Sequence, residues 1–182
     1  MDPYQIQEGM YVYFITFTIK DWLPIFINPE TIEIITESLR YSIDHKHLRI
    51  NAYVIMPNHL HMIVFDEDFD NDRLKKCLIE FRKYTGHLLA DYIDQHLPNT
   101  LSRIIHETNQ NDRRRQVWQR DWYAEGIIGE EFWELKINYI HMNPVRKGFV
   151  DLPEQWRNSS ARFWLDGEDV ELPITDTFGE NH

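Results

Sequence analysis

The sequence predicts an α+β fold of β-α-β-β-α-β-α order with an antiparallel sheet. Three observations carry this. Breaker-free, β-branched and aromatic runs stand at Tyr11 to Ile19, Arg49 to Met56 and His59 to Phe65. Apolar residues at helical spacing fill the stretch between the first two runs and a longer stretch after the third. The length, 182 residues, suits one compact domain with at most a small appendage.

Tyr11 to Ile19, YVYFITFTI, is the first strand. Asn28-Pro29 then stops the chain and starts a helix, whose apolar residues recur at Ile32, Ile34, Ile35, Leu39 and Ile43 as far as His45. The second and third strands pair most simply as a hairpin across Pro57-Asn58. Proline cannot take the positive φ of the favoured two-residue hairpin turns, so a slightly wider loop is expected there. From Asp72 to about Ile93, Leu74, Leu78, Phe81, Leu88 and Leu89 mark the second helix, weakened at Gly86. Pro98 to Asp112 is ambiguous. Arg115 to Tyr123, RQVWQRDWY, reads as the fourth strand. Glu130 to about Met142 reads as the third helix, its acids suited to a first turn and Pro144 ending it. The whole is the ferredoxin-like pattern, with helices on one face of the sheet. Residues 1–150 form the domain, and 151–182 a C-terminal extension that packs on it and finishes in a loosely ordered acidic end.

The formal charge is −11, from 19 basic and 30 acidic residues. Taken globally this disfavours a nucleic-acid partner, which normally needs a positive field. The distribution qualifies it, because bases cluster at Arg73 to Lys76, Phe81 to Lys83 and Arg113 to Arg115, apart from the acids. The lone Cys77 excludes an internal disulfide and any cysteine-based zinc cluster. No apolar run is long enough to span a membrane, and the N-terminus lacks a secretory pattern, so a cytoplasmic protein is expected.

Two stretches carry chemistry. In NAYVIMPNHLHMIVF, His59 and His61 share one strand face and place two imidazoles side by side, an arrangement suited to a divalent metal. The plainer alternative is a pair of core histidines satisfied by backbone groups. Ile63 and Phe65 continue that face, so any third ligand comes from elsewhere, and an H-x-H-x-H phosphohydrolase run is ruled out. In INYIHMNPVRKGFV, Tyr139 and Asn143 lie one helical turn apart on one face, while His141 points away from Tyr139. A tyrosine hydroxyl can act as a covalent nucleophile and an asparagine oxygen can ligate a hard cation. A core tyrosine followed by a helix end is the plainer alternative.

Together these stretches resemble the single-tyrosine HUH transposases. MPNHLHMIV resembles their histidine–hydrophobe–histidine motif. YIHMNPVRKGFV is similar to the tyrosine helix of their REP-associated subfamily, as are WQRDWY before it and WRNSSARFW after it. The resemblance runs from about Tyr11 to Trp164. It implies that His59, His61 and Asn143 hold Mg²⁺ or Mn²⁺ and that Tyr139 is the nucleophile. The implied activity is metal-dependent cleavage and strand transfer on single-stranded or hairpin DNA through a 5′-phosphotyrosine. Relatives often carry a histidine and an arginine before the tyrosine helix. Here that segment reads AEGIIGEE, with Glu125 and Ile128 near those places.

For DNA contact, Arg113, Arg114, Arg115 and Arg120 alternate with Trp118 and Trp122, joining cations to flat stacking surfaces. Lys76 and Lys83, with His87, lie along one side of the second helix. Two other readings stand beside the transposase: a domesticated hairpin-binding module with little or no cleavage, and a metal phosphohydrolase with no need of Tyr139. A monomer and a homodimer that exchanges the tyrosine helix are both open.

Overall fold

The computed structural model describes Ile6, residues 9–106 and residues 115–176. Strands β1 (Val12–Thr18), β2 (Leu48–Met56), β3 (His59–Asp66) and β4 (Tyr123–Gly126) form one antiparallel sheet in the order β2-β3-β1-β4. The helices are α1 (Pro29–His45), α2 (Asn71–His96), α3 (Asn99–His106), α4 (Glu130–His141), α5 (Asn143–Arg146) and α6 (Ala161–Asp166). With α1 crossing from β1 to β2 and α2 leading from β3 towards β4, the expected α+β, ferredoxin-like pattern is borne out.

Strand alternation sorts side chains into two apolar layers. Tyr13, Ile15, Phe17, Leu60, Met62 and Val64 join Ile35 and Leu39 of α1 and Leu78 and Phe81 of α2. Val12, Phe14, Val54, Met56, Ile63 and Phe65 meet Trp133 and Ile140 of α4 on the opposite face. Helices therefore cover both faces, where one was expected. The reason lies in β3, which is buried along its whole length and so needs a second cover.

Residues 151–176 complete that cover and close the outer edge of β2. Backbone N–H groups of Ile55, Ser160 and Thr175 donate to carbonyls of Asn158, Tyr53 and Ile50 at 2.8, 3.0 and 2.8 Å. Asn51, the extra residue of a bulge in β2, ties the layer together. Its Oδ1 accepts from Trp133 Nε1 at 2.7 Å, its Nδ2 donates to Thr175 O at 3.1 Å, and its carbonyl accepts from Trp164 Nε1 at 2.9 Å.

Three local expectations are corrected. The fourth strand forms at Tyr123–Gly126, while residues 115–122 make only an isolated bridge, Trp118 to Ile19, just past the end of β1. Trp118 explains the slip: its ring is buried against Phe17 and Phe26, and its Nε1 donates to Thr85 Oγ1 at 3.1 Å, so side-chain packing holds the segment in place of a ladder. The hairpin loop is not widened, since Met56 pairs with His59 and neither Pro57 nor Asn58 has positive φ. Their carbonyls accept from Phe26 N and Ile19 N at 2.9 Å each, which fixes the turn from outside. α4 ends at His141, close to the expected Met142, but Pro144 does not push the chain out of the helical region. Met142 stays in the α region and α5 begins at Asn143, with Pro144 in its first turn, where a missing N–H costs little.

At the end of β3, Asp66 is 1% exposed and accepts Arg73 Nε and Nη2 at 2.6 Å each, plus the N–H groups of Asp68 and Asp70. Burial pushes its carboxyl up, but the guanidinium and backbone bonds outweigh this and hold it below the usual carboxylate range. Asp66→Ala removes the buried half of a partly exposed ion pair, leaves Arg73 to Asp68, and is expected to cost about 1–2 kcal/mol, read as a lower urea midpoint.

Candidate active site

His59 and His61 sit on the β3 face that α4 covers, each 6% exposed, with ring centroids 4.5 Å apart. His59 Nδ1 is 2.7 Å from Asn58 Oδ1, and because that oxygen only accepts, Nδ1 carries the proton and Nε2 keeps its lone pair. His61 Nδ1 is 2.8 Å from Thr16 Oγ1 on the paired strand. Both imidazoles are thus oriented through Nδ1, leaving Nε2 to ligate. Burial, with the Lys147 charge adding to it, lowers His59 to about 4. Burial also holds His61 well below the usual histidine range, helped by His59 and Lys136. Near neutral pH both are therefore neutral, the form a metal requires.

Tyr139 of α4 comes to this pair within the same chain. Its ring centroid lies 5.4 Å from that of His61 and 5.8 Å from that of Phe14, which itself stacks on His61 at 5.3 Å. Tyr139 stays 37% exposed, so a large substrate can reach it. One helical turn on, Asn143 is 5% exposed and its Oδ1 is buried with no hydrogen-bond partner. An orphaned buried carbonyl oxygen is costly unless something is to bind it. In kind, two neutral imidazoles and an amide oxygen are donors that suit a hard divalent cation. Among the described residues no group of three His, Cys, Asp or Glu is gathered for a metal.

Cations surround the tyrosine in spite of the acidic chain. The Arg146 guanidinium lies over the Tyr139 ring at 5.2 Å, and Lys136 Nζ over the Phe14 ring at 4.6 Å. Glu125 is neutralised where it stands, accepting from Lys136 Nζ at 2.5 Å and from Tyr123 OH at 2.6 Å. Burial raises its carboxyl, but Lys136 and Tyr123 outweigh this and hold it below the usual range. Lys136, Arg146 and Lys147 were missed in the sequence, although the first two sit three residues before and seven after Tyr139, on its side of the helical path.

The residues read for DNA contact are placed elsewhere. Lys76 and Lys83 are exposed on α2, behind the sheet as seen from the histidines. Trp118 is buried, and Trp122 packs half-buried on Phe17, in the same far layer. Trp118 therefore offers no open face for a base. Arg115 is engaged by Asp91 and Asp94 of α2 at 2.5 and 3.2 Å, and Arg120 is exposed. Arg113 and Arg114 lie outside the described residues. A cavity of about 790 Å³ between α1 and α2, lined by Tyr41, Lys46, Glu80 and Tyr84 among others, is also on the far side.

His141 turns away from Tyr139, as expected, and is buried with Nε2 2.9 Å from Ser160 Oγ. Burial lowers it to about 4. The unfolded chain takes up protons on such histidines below about pH 6.5 while the folded form resists until about pH 4, so stability falls as pH drops through that window. Between pH 7 and pH 5 each of His59 and His141 is expected to cost roughly 2 kcal/mol, seen as a falling urea midpoint.

Fold and site together define a class: a ferredoxin-like α+β domain with a neutral histidine pair on one central strand and a helix-borne tyrosine against it. The chain is similar to the REP-associated tyrosine transposases. A Haemophilus influenzae protein assigned to that group is 22% identical over 150 residues, covering 82% of this chain and 78% of its own. A solved REP-associated tyrosine transposase bound to a REP hairpin superposes with a TM-score of 0.65 at 18% identity, over 97% of this chain and 93% of its own. At that identity the structural likeness is one of fold. No family model matches the chain. No helix among the described residues is long and apolar enough to cross a membrane.

Proposed function

We propose that this chain is a metal-dependent, single-tyrosine DNA endonuclease and strand transferase of the transposase type, acting in the cytoplasm on single-stranded or hairpin DNA. The observation that carries the reading is the approach of Tyr139 to His61 at 5.4 Å within one chain, which needs no helix from a second subunit. The similarity to REP-associated transposases, one of them bound to a hairpin, supports the choice of a foldback substrate.

His59, His61 and Asn143 would hold Mg²⁺ or Mn²⁺, which when bound neutralises phosphate charge and orients the phosphodiester. Tyr139 Oη forms the bond to phosphorus as the P–O3′ bond breaks, leaving a 5′-phosphotyrosine and a free 3′-hydroxyl. A second 3′-hydroxyl reverses the exchange and reseals the strand without a high-energy cofactor. Arg146 supplies local positive charge beside Tyr139 where the whole chain would repel a phosphate. Because Lys136 neutralises Glu125, that carboxylate gives no reason to favour a binding module over an enzyme.

The test is a labelled hairpin oligonucleotide with unpaired flanks, incubated with the chain and Mg²⁺ or Mn²⁺. A covalent adduct of slower migration supports the reading. Binding without an adduct across several hairpins makes the chain a binding module, and absence of binding contradicts both.

A further inference from the structure

Between β1 and α1 the chain makes a turn that costs free energy. Asp21 and Trp22 both adopt left-handed backbone conformations, at φ 52° and 57°, where side chains other than glycine are strained. The surroundings impose it. Trp22 N donates to Ile19 O at 3.0 Å, Leu23 N to Lys20 O at 3.2 Å, and Asn58 Nδ2 to Trp22 O at 3.3 Å. On either side, Ile19 N and Phe26 N hold the carbonyls of the β2–β3 turn at 2.9 Å each. Leu23, Ile25 and Phe26 are buried, whereas the Trp22 indole is left 57% exposed.

That indole meets the His59 ring in an edge-to-face arrangement, ring centroids 6.0 Å apart and planes at 74°. Asn58, which fixes the His59 tautomer through Oδ1, also grips the Trp22 carbonyl through Nδ2. One side chain therefore bonds both the imidazole and the backbone that carries the indole. A lone exposed tryptophan is ordinary on a protein surface. A tryptophan held out on strained backbone, by the residue that orients a candidate ligand, is not explained by packing. A broad flat π-face with an open side suits one class of partner at a site for a single strand: an unpaired base.

The geometry points to Trp22 as a stacking platform for an unpaired nucleobase flanking the phosphate that reaches His59 and His61. This rests on the proposed function and adds a base-binding position to it. The indole replaces Trp118, buried in the core, as the aromatic surface for single-stranded DNA. Stacking tolerates any base, so the contact orders the strand without fixing its sequence.

The experiment uses the full chain without added metal, and a hairpin carrying 2-aminopurine in its unpaired flank. Affinity is read by anisotropy and stacking by quenching. Trp22→Phe is expected to keep most of the binding. Trp22→Gly is expected to weaken it about tenfold or more and to relieve the quenching. The same Trp22→Gly change relaxes the left-handed backbone, so its melting temperature is expected to equal or exceed that of the parent, which separates lost stacking from lost fold. Affinity for a blunt hairpin with no unpaired flank is expected to stay the same. If the parent binds the flanked hairpin and Trp22→Gly binds it equally with quenching intact, the Trp22 platform alone is overturned. If the parent does not bind it, the proposed function falls and the platform with it.

Discussion

Tyr139→Phe is expected to abolish the covalent adduct while hairpin binding and melting temperature stay close to those of the parent. The substitution removes one hydroxyl and keeps the ring, so the contacts with His61 and Phe14 and the Arg146 cation above it persist. The residue is 37% exposed, and the covered part of its side chain is the ring that phenylalanine keeps. Loss of a covalent nucleophile typically costs on the order of 10⁴-fold or more in rate, because no neighbouring group can take over the bond to phosphorus. Adduct yield on a denaturing gel measures the first effect, and anisotropy with the same hairpin the second. An adduct that survives in Tyr139→Phe assigns the nucleophile elsewhere.

His59→Ala is expected to remove metal-dependent cleavage, by about 10³-fold or more, since a bound divalent ion supplies several kcal/mol to such a transition state. Asn143→Ala is the informative companion. Its Oδ1 has no partner, so deleting it strands no other group, and the fold is expected to be no less stable. Metal affinity is expected to fall at least tenfold. Manganese binding followed by calorimetry, beside melting curves without metal, reads the two effects separately. An Asn143→Ala variant that loses stability but keeps its manganese affinity would show the oxygen to be structural.

The strands β1, β2 and β3 were legible because each is a continuous apolar run with no breaker, and α1 and α2 because their apolar residues keep helical spacing. The strand expected at Arg115 to Tyr123 slipped because Trp118 answers to the core around Phe17 and Thr85, a tertiary demand that a local pattern does not reveal. The second helical cover was hidden for a related reason. Strand alternation says that both faces of β3 are apolar but not which later segment covers each. In the site, the histidine pair and the Tyr139–Asn143 spacing could be read from strand and helix periods. Phe14 and Thr16, which hold His61, belong to the neighbouring strand and could be found only through the register. The basic residues were sought in clusters, whereas Lys136 and Arg146 are single charges given meaning by their distance along the helix from Tyr139. Trp22 carried no sequence signal, since its position comes from backbone strain imposed by residues nearly forty positions away.

The most direct measurement is the mass of the linked peptide after incubation with a hairpin oligonucleotide and Mn²⁺. Trypsin releases Ile137 to Arg146, INYIHMNPVR, in which Tyr139 is the only tyrosine. A nucleotide phosphate is expected on that peptide through Tyr139, absent without metal and absent in His59→Ala. A nucleotide carried by any other peptide, or cleavage that proceeds with no linked peptide at all, contradicts it.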